Sequence, residues 1–277
     1  MKRAIKSILR RIHVNIGRLY TQAPPLRRRI PNQVYQTWVS PVVPSLLALQ
    51  IRRFRRLNPD FSFSFFDDLR MASYMDREWA GHPIQDIFHR VRLPAVRADI
   101  WRYCVLFREG GVYCDIKSAL TAPLRDLVPA DSSELLSFEE NRWSDYLDVA
   151  QYTEPGLFLP EPPSSVRAQL EHPDHIICNW CVCFEKGSPI LERLISLIVR
   201  HAPFFRGRAF DRPDRAGNHF TGPLALTQVV WQWIQETGRR PGQAGIDFAG
   251  KGAWRLSGMS YRKSPHHSTY RNTTILG

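Results

Sequence analysis

Arg97-Ala-Asp-Ile-Trp-Arg-Tyr103 and Gly110-Gly-Val-Tyr-Cys-Asp-Ile-Lys117 decide how the rest of the chain is read. Pro94 suits the first turn of a helix running to Arg108, because its missing N–H costs nothing there. Gly110-Gly111 ends that helix, and Val112-Tyr113-Cys114 begins a strand. Asp99 and Arg102 are three residues apart and share a helix face. Ile100, Trp101, Tyr103, Val105, Leu106 and Phe107 surround the axis on almost every side, which is the signature of a buried helix. A carboxylate and a guanidinium inside such a helix must be paired or face a polar cavity, since burying either alone costs several kcal/mol. Spacing leaves both readings open: a structural ion pair, or a pair lining a ligand pocket. Asp115 favours the pocket. It stands at the C-terminal end of a short strand, where open α/β sheets bind ligands. A carboxylate there also suits a hard divalent cation bridging phosphate oxygens.

Working outward, Asn32–Trp38 reads as a first strand, and 44–57 has helical apolar spacing with Arg52, Arg53, Arg55 and Arg56 outward. Phe61-Ser-Phe-Ser-Phe65 alternates as a strand with Phe on one face, and Asp67-Asp68 stand where a helix N-cap is wanted. Further strands are expected at Glu134–Phe138 and Ile176–Phe184, and helices at 189–200 and 223–236, with 155–163 a Pro-rich loop. Strands and helices interleave, so the expected fold class is α/β with a mainly parallel sheet. Cys178, Cys181 and Cys183 lack the second ligand pair a zinc site wants. Cys181 and Cys183 share a strand face and fit as small core residues.

The 277 residues, 43% hydrophobic and 23% charged, have the composition of an ordinary globular protein, which excludes a disordered or collagen-like chain. No run of 18 apolar residues is present to span a bilayer. Net charge is +12, of which residues 1–29 supply nine Lys or Arg and no acid. A basic tail and linker (1–29) is therefore expected ahead of a nearly balanced folded domain (30–277), which argues against nucleic acid as the partner. Ile5, Ile8, Leu9, Ile12, Ile16 and Leu19 fall on one helical face, with Arg3, Lys6, Arg10, Arg11 and Arg18 opposite. The tail thus reads as an amphipathic helix of about five turns. Residues 1–20 rest on an anionic membrane surface, or the apolar stripe packs on the protein's own body, or the segment is a transit peptide, which a single Ser disfavours. Five cysteines and no apolar leader at the N-terminus fit a reducing, cytoplasmic location, peripheral on the inner face of the plasma membrane.

Ile30-Pro31, Gln36-Thr37-Trp38, Arg97-Ala-Asp99, Arg102-Tyr103 and Gly110-Gly-Val-Tyr-x-Asp115 together resemble the sugar-nucleotide-binding signature of glycosyltransferase family 32. Asn179 ahead of Gly187-Ser-Pro189, and Thr221-Gly-Pro223 opening a helix, are similar to it too. The resemblance spans roughly residues 30–230. It implies a GT-A fold, a nucleoside-diphosphate sugar donor and transfer with retention to a glycan or lipid-linked acceptor, as in bacterial cell-surface polysaccharide synthesis. By the same resemblance Gln36, Thr37 and Trp38 lie beside the base and ribose, and Asp99 and Arg102 hold sugar hydroxyls. Tyr113 and Gly222 also line the donor site, and Asp115 faces the diphosphate and its Mn²⁺ or Mg²⁺.

One position departs from the pattern. The second carboxylate of the DXD triplet is Lys117, and an ammonium there weakens a divalent cation's hold. Three outcomes stay open. The metal is kept by Asp115 with a side chain from elsewhere, such as His266 or His267. Alternatively, Lys117 neutralises the diphosphate itself. In the third case the chain is a catalytically degenerate sugar-nucleotide or glycan-binding relative. Glu139 and Glu140, ending a strand, are candidates for the acceptor side or for a charged surface loop.

Overall fold

The computed structural model describes residues 12–17, 22–118, 120–146, 151–154, 156–251 and 273–277. Its strands are β1 (His13–Asn15), β2 (Gln33–Thr37), β3 (Val42–Pro44), β4 (Ser62–Phe66), β5 (Gly111–Cys114), β6 (Glu134–Arg142), β7 (His175–Ile177), β8 (Cys181–Phe184), β9 (Ala209–Phe210), β10 (Gln243–Ile246) and β11 (Thr273–Thr274). Its helices are α1 (Ser45–Leu57), α2 (Asp68–Glu78), α3 (Pro83–Arg90), α4 (Pro94–Glu109), α5 (Leu124–Leu127), α6 (Ser164–Arg167), α7 (Pro189–Phe205), α8 (Pro213–Phe220) and α9 (Pro223–Thr237).

A seven-stranded sheet runs in the order β10-β6-β8-β5-β2-β4, with β7 also paired to β6. The parallel pairs β2–β4, β2–β5 and β6–β10, and the antiparallel pairs β5–β8, β6–β8 and β6–β7, leave five strands pointing one way and β7 and β8 reversed. The α/β expectation is borne out. Val34 and Val112 enter the layer containing Phe54 and Leu124, whereas Tyr35 and Tyr113 enter the larger layer with Trp101 and Ile198. Both faces of the sheet are therefore covered, which is why β5 is apolar without alternation.

Helix α4 buries every residue from Asp99 to Leu106. Burying each of its large apolar side chains contributes about 1.5–3 kcal/mol. Its stop is enforced by backbone geometry. Gly110 has φ +69°, and a Cβ there would lie 2.7 Å from the Lys186 backbone nitrogen; at Gly111, φ +113°, it would lie 2.6 Å from the Gln33 carbonyl. Only glycine satisfies both the left-handed backbone and the close approach. Asp67 caps α2, accepting from the Arg70 N–H at 2.9 Å.

The described part of the tail differs from the amphipathic-helix expectation. His13–Asn15 is a strand paired antiparallel with Val42–Pro44. Ile12 is exposed while Ile16 is fully buried against Val43, Leu47 and Ile116, so the supposed helical stripe is split. Pairing with β3 satisfies the backbone that a helix would otherwise satisfy internally, and burial of Ile16 fixes the register. Residues 1–11 and 18–21 lie outside the described residues. The strand expected over Ile176–Phe184 is interrupted at 178–180, between β7 and β8, and α7 runs on through Pro203 to Phe205. No described helix is long and apolar enough to cross a membrane. All five cysteines are free and buried, as core packing requires.

Candidate active site

The ends of β2 and β5 meet the break between β7 and β8. Tyr35 pairs with Tyr113, and Cys114 with Cys181. The Asp115 N–H donates to the Trp180 carbonyl at 2.7 Å. The break turns Asn179 out of the ladder toward α4, and the turn before α9 brings Thr221 to the same place.

Arg102 is the hub. Nη1 donates to the Asn179 carbonyl at 2.5 Å, and Nη2 lies 3.1 Å from Asp99 Oδ1 and 3.4 Å from Asp115 Oδ1. Its guanidinium sits 4.2 Å from the centroid of the Tyr113 ring. The Tyr113 hydroxyl donates to Asp115 Oδ1 at 2.7 Å, which leaves the Thr37 hydroxyl, 3.2 Å away, to donate to Tyr113. Asp99 is held on both oxygens: Thr221 Oγ1 donates to Oδ2 at 2.9 Å and Asn179 Nδ2 to Oδ1 at 3.3 Å. Tyr103 donates to the Thr221 carbonyl at 2.8 Å. One guanidinium thus joins two carboxylates from different elements.

Exposure divides their roles. The Asp99 side chain is 11% exposed and that of Arg102 6%, whereas that of Asp115 is 32% exposed. Burial pushes the Asp99 carboxyl up to about 6, with Arg102 and the Thr221 hydrogen bond opposing the rise. Burial likewise raises the Tyr103 and Tyr113 phenols, keeping them protonated donors. Lys117 is pulled below its ordinary range by burial, with Asp115 opposing. Its ammonium lies 4.7 Å from the Trp38 ring centroid, and its carbonyl accepts from Gln50 Nε2 of α1 at 2.9 Å.

Asp99, Arg102, Tyr113, Asp115 and Thr37 therefore form one connected cluster, with Lys117 and Trp38 stacked beside it. Gln36 is buried in β2 on the face opposite Thr37. Gly222 caps α9 where a Cβ would lie 2.7 Å from Asn218 Cα, so its glycine answers a packing need. The group reaching the cluster from that turn is Thr221. Glu139 and Glu140 lie inside β6, which runs on past the expected end at Phe138 to Arg142, and Glu139 accepts from Asn141 at 3.1 Å. His266 and His267 lie outside the described residues. Asn179 and Thr221 belong to the sequence signature, but the resemblance assigns them no task. A single amide inside an apolar Cys-rich stretch was the available signal for Asn179.

The mixed α/β sheet with helices on both faces is the fold of solved GT-A glycosyltransferases, as expected. The chain superposes on the PaToxG glycosyltransferase with a TM-score of 0.50 at 18% identity, covering 84% of this chain and 78% of that one. Residues 44–134 match the family described as glycosyltransferase sugar-binding region containing DXD motif. An initiation-specific alpha-1,6-mannosyltransferase of Schizosaccharomyces pombe is 21% identical over 76% of this chain and 50% of its own length. Inositol phosphoceramide mannosyltransferase 1 of the same yeast is 26% identical over 50% of this chain and 44% of its own. The chain spans about half the length of these curated relatives. They support the resemblance to family 32 glycosyltransferases. They are fungal, and give the bacterial polysaccharide expectation no support.

A DXD region implies a divalent metal, and the residues described here do not fit one. Asp115 Oδ1 is occupied by Tyr113 and faces Arg102, and the third position of the triplet, Lys117, carries a cation. Among the described residues no group of three His, Cys, Asp or Glu converges.

Proposed function

We propose that the chain is a retaining glycosyltransferase that takes a nucleoside-diphosphate sugar, with mannose as the leading candidate, and transfers the sugar to a glycan or lipid-linked acceptor. The observation that carries this reading is the Asp99–Arg102–Asp115 cluster, gathered from α4 and the end of β5 and braced by Asn179 and Thr221. Its composition suits sugar hydroxyls: a part-exposed carboxylate accepts, while a fixed guanidinium donates. Asp115 is the group that faces the donor. Asp99, with both oxygens engaged, positions Arg102 and Asn179. Trp38 and Thr37 flank the nucleotide. Lys117, half-buried beside them, supplies positive charge to the departing diphosphate, and a cation in a partly dry pocket does so more effectively than in water. The acceptor hydroxyl then attacks the anomeric carbon from the face that the diphosphate leaves, and its proton passes to the leaving phosphate oxygen. Mannose is favoured by the names of the relatives. An anionic membrane surface, contacted through residues 1–20, is the proposed location.

Lys117 also favours a second reading, a sugar-nucleotide-binding protein without turnover. Incubation of the full chain with GDP-mannose and a panel of UDP-sugars, with Mn²⁺ or with chelator, separates the two by the nucleotide released. Turnover that Asp115→Ala abolishes supports the transferase. Donor binding with no release, even with acceptor supplied, supports the binding protein. Absence of both refutes the functional assignment.

A further inference from the structure

We propose that the outer face of α1 is a docking surface for an anionic phospholipid bilayer. Residues 1–59 contain 13 Lys or Arg and no Asp or Glu, and the other 218 residues carry 25 Lys or Arg against 26 acids. The whole net charge of the chain therefore lies in its first 59 residues, well beyond the tail and into the folded body. Within that segment α1 is two-faced. Leu47, Ala48, Gln50, Ile51 and Phe54 are buried, whereas Leu49, Arg52, Arg53 and Arg56 are exposed. Positions 49, 52, 53 and 56 follow the i, i+3, i+4, i+7 rule and form one stripe. Around the C-terminal end of the helix, Arg52, Arg55 and Arg56 with Phe61 and Phe63 line a cleft of about 360 Å³. The Arg55 guanidinium lies 5.8 Å from the Phe63 ring centroid. Arginine forks above an apolar floor suit phosphate headgroups.

Apolar exposure distinguishes a bilayer from a nucleic acid. Ile12, Leu26, Val39, Val42 and Leu49 are five of the six large hydrophobic side chains exposed among the described residues, and all lie in the same acid-free segment. Aliphatic side chains interspersed with arginines match the headgroup–acyl boundary, and phosphodiester backbones offer them nothing. The opposite face of α1 holds Lys117 through Gln50. Docking would therefore set the strand-end cluster about one helix diameter, some 10 Å, from the lipid surface. The binding claim stands whether or not the chain is a transferase.

The test is sedimentation of the full chain with phosphatidylcholine vesicles, with and without phosphatidylserine, at low and high salt. Binding should require phosphatidylserine and weaken with salt. Each cation near an anionic surface is worth about fivefold in affinity, so Arg52→Gln/Arg53→Gln/Arg56→Gln should weaken binding roughly a hundredfold. Leu49→Asp should weaken it independently, and circular dichroism and nucleotide affinity should be unchanged in both variants. Equal sedimentation of wild type and triple variant overturns the proposal, as does equal binding to pure phosphatidylcholine. Displacement of vesicle-bound chain by a short DNA duplex would also overturn it, assigning the face to nucleic acid.

Discussion

Asp99→Asn should make the protein more stable at neutral pH while impairing it as a catalyst. The carboxyl is buried, and its folded value of about 6 stands roughly two units above an ordinary aspartate. The folded state thus binds this proton more tightly than the unfolded chain does. The associated stability is fully present below pH about 4 and is lost as pH rises through about 6. At pH 7 the ionised carboxylate therefore costs about 3 kcal/mol relative to a neutral isostere. Asparagine removes that cost and can still accept from Asn179. For a chain of this size the gain corresponds to a Tm increase of about 6–10 °C. Thermal unfolding of both proteins from pH 4 to 7 measures it directly. The gap should be widest at pH 7 and close toward pH 4, while donor turnover falls at least about tenfold as Arg102 loses one of its two carboxylate partners and keeps only Asp115. A gap that is constant with pH, or one that widens toward pH 4, would refute the burial argument.

Lys117→Met should weaken nucleoside-diphosphate binding by up to roughly a few hundredfold, the Coulomb energy of one ammonium about 5 Å from phosphate at an effective dielectric of 20. Calorimetry with chelator present checks this, and wild-type affinity should be insensitive to the chelator. Lys117→Asp should convert the site to one whose nucleotide affinity rises with Mn²⁺, because it restores the second hard ligand. Gly110→Ala should lower unfolding free energy by more than about 2 kcal/mol, since it combines a left-handed backbone with a clash against Lys186. Denaturant titration measures that loss. Thr221→Val should push the Asp99 carboxyl above its present value, visible as an upward shift in the carboxylate's NMR titration midpoint.

The fold was legible wherever one periodicity ruled. Phe61, Phe63 and Phe65 alternate, and α4 is apolar around its whole circumference and closed by Gly110. Residues 12–17 were not legible, because Ile12 and Ile16 fit a helical period equally well and only the partner strand Val42–Pro44 decides between the two. In the site, Asp99 and Arg102 could be paired from their spacing and Asp115 from its place at a strand end. Thr221 could not. It reaches Asp99 across 122 residues of sequence, and no local pattern encodes such a contact. The break at 178–180 was hidden for a related reason. Cys178, Trp180 and Cys181 all read as strand formers, and the Asp115 N–H that captures the Trp180 carbonyl comes from another strand.

The cluster around Arg102 also determines when, during folding, the protein can first bind anything. Its members come from positions 37, 99, 102, 113, 115, 179 and 221, so every bracing contact beyond α4 and β5 closes a long loop whose entropy must be overcome first. An intermediate with β2, β4 and β5 assembled would hold Asp115 and Tyr113 but lack Asn179 and Thr221. Ligand affinity should therefore recover late, in step with the slowest refolding phase, and a nucleotide would protect the complete topology rather than any fragment of it.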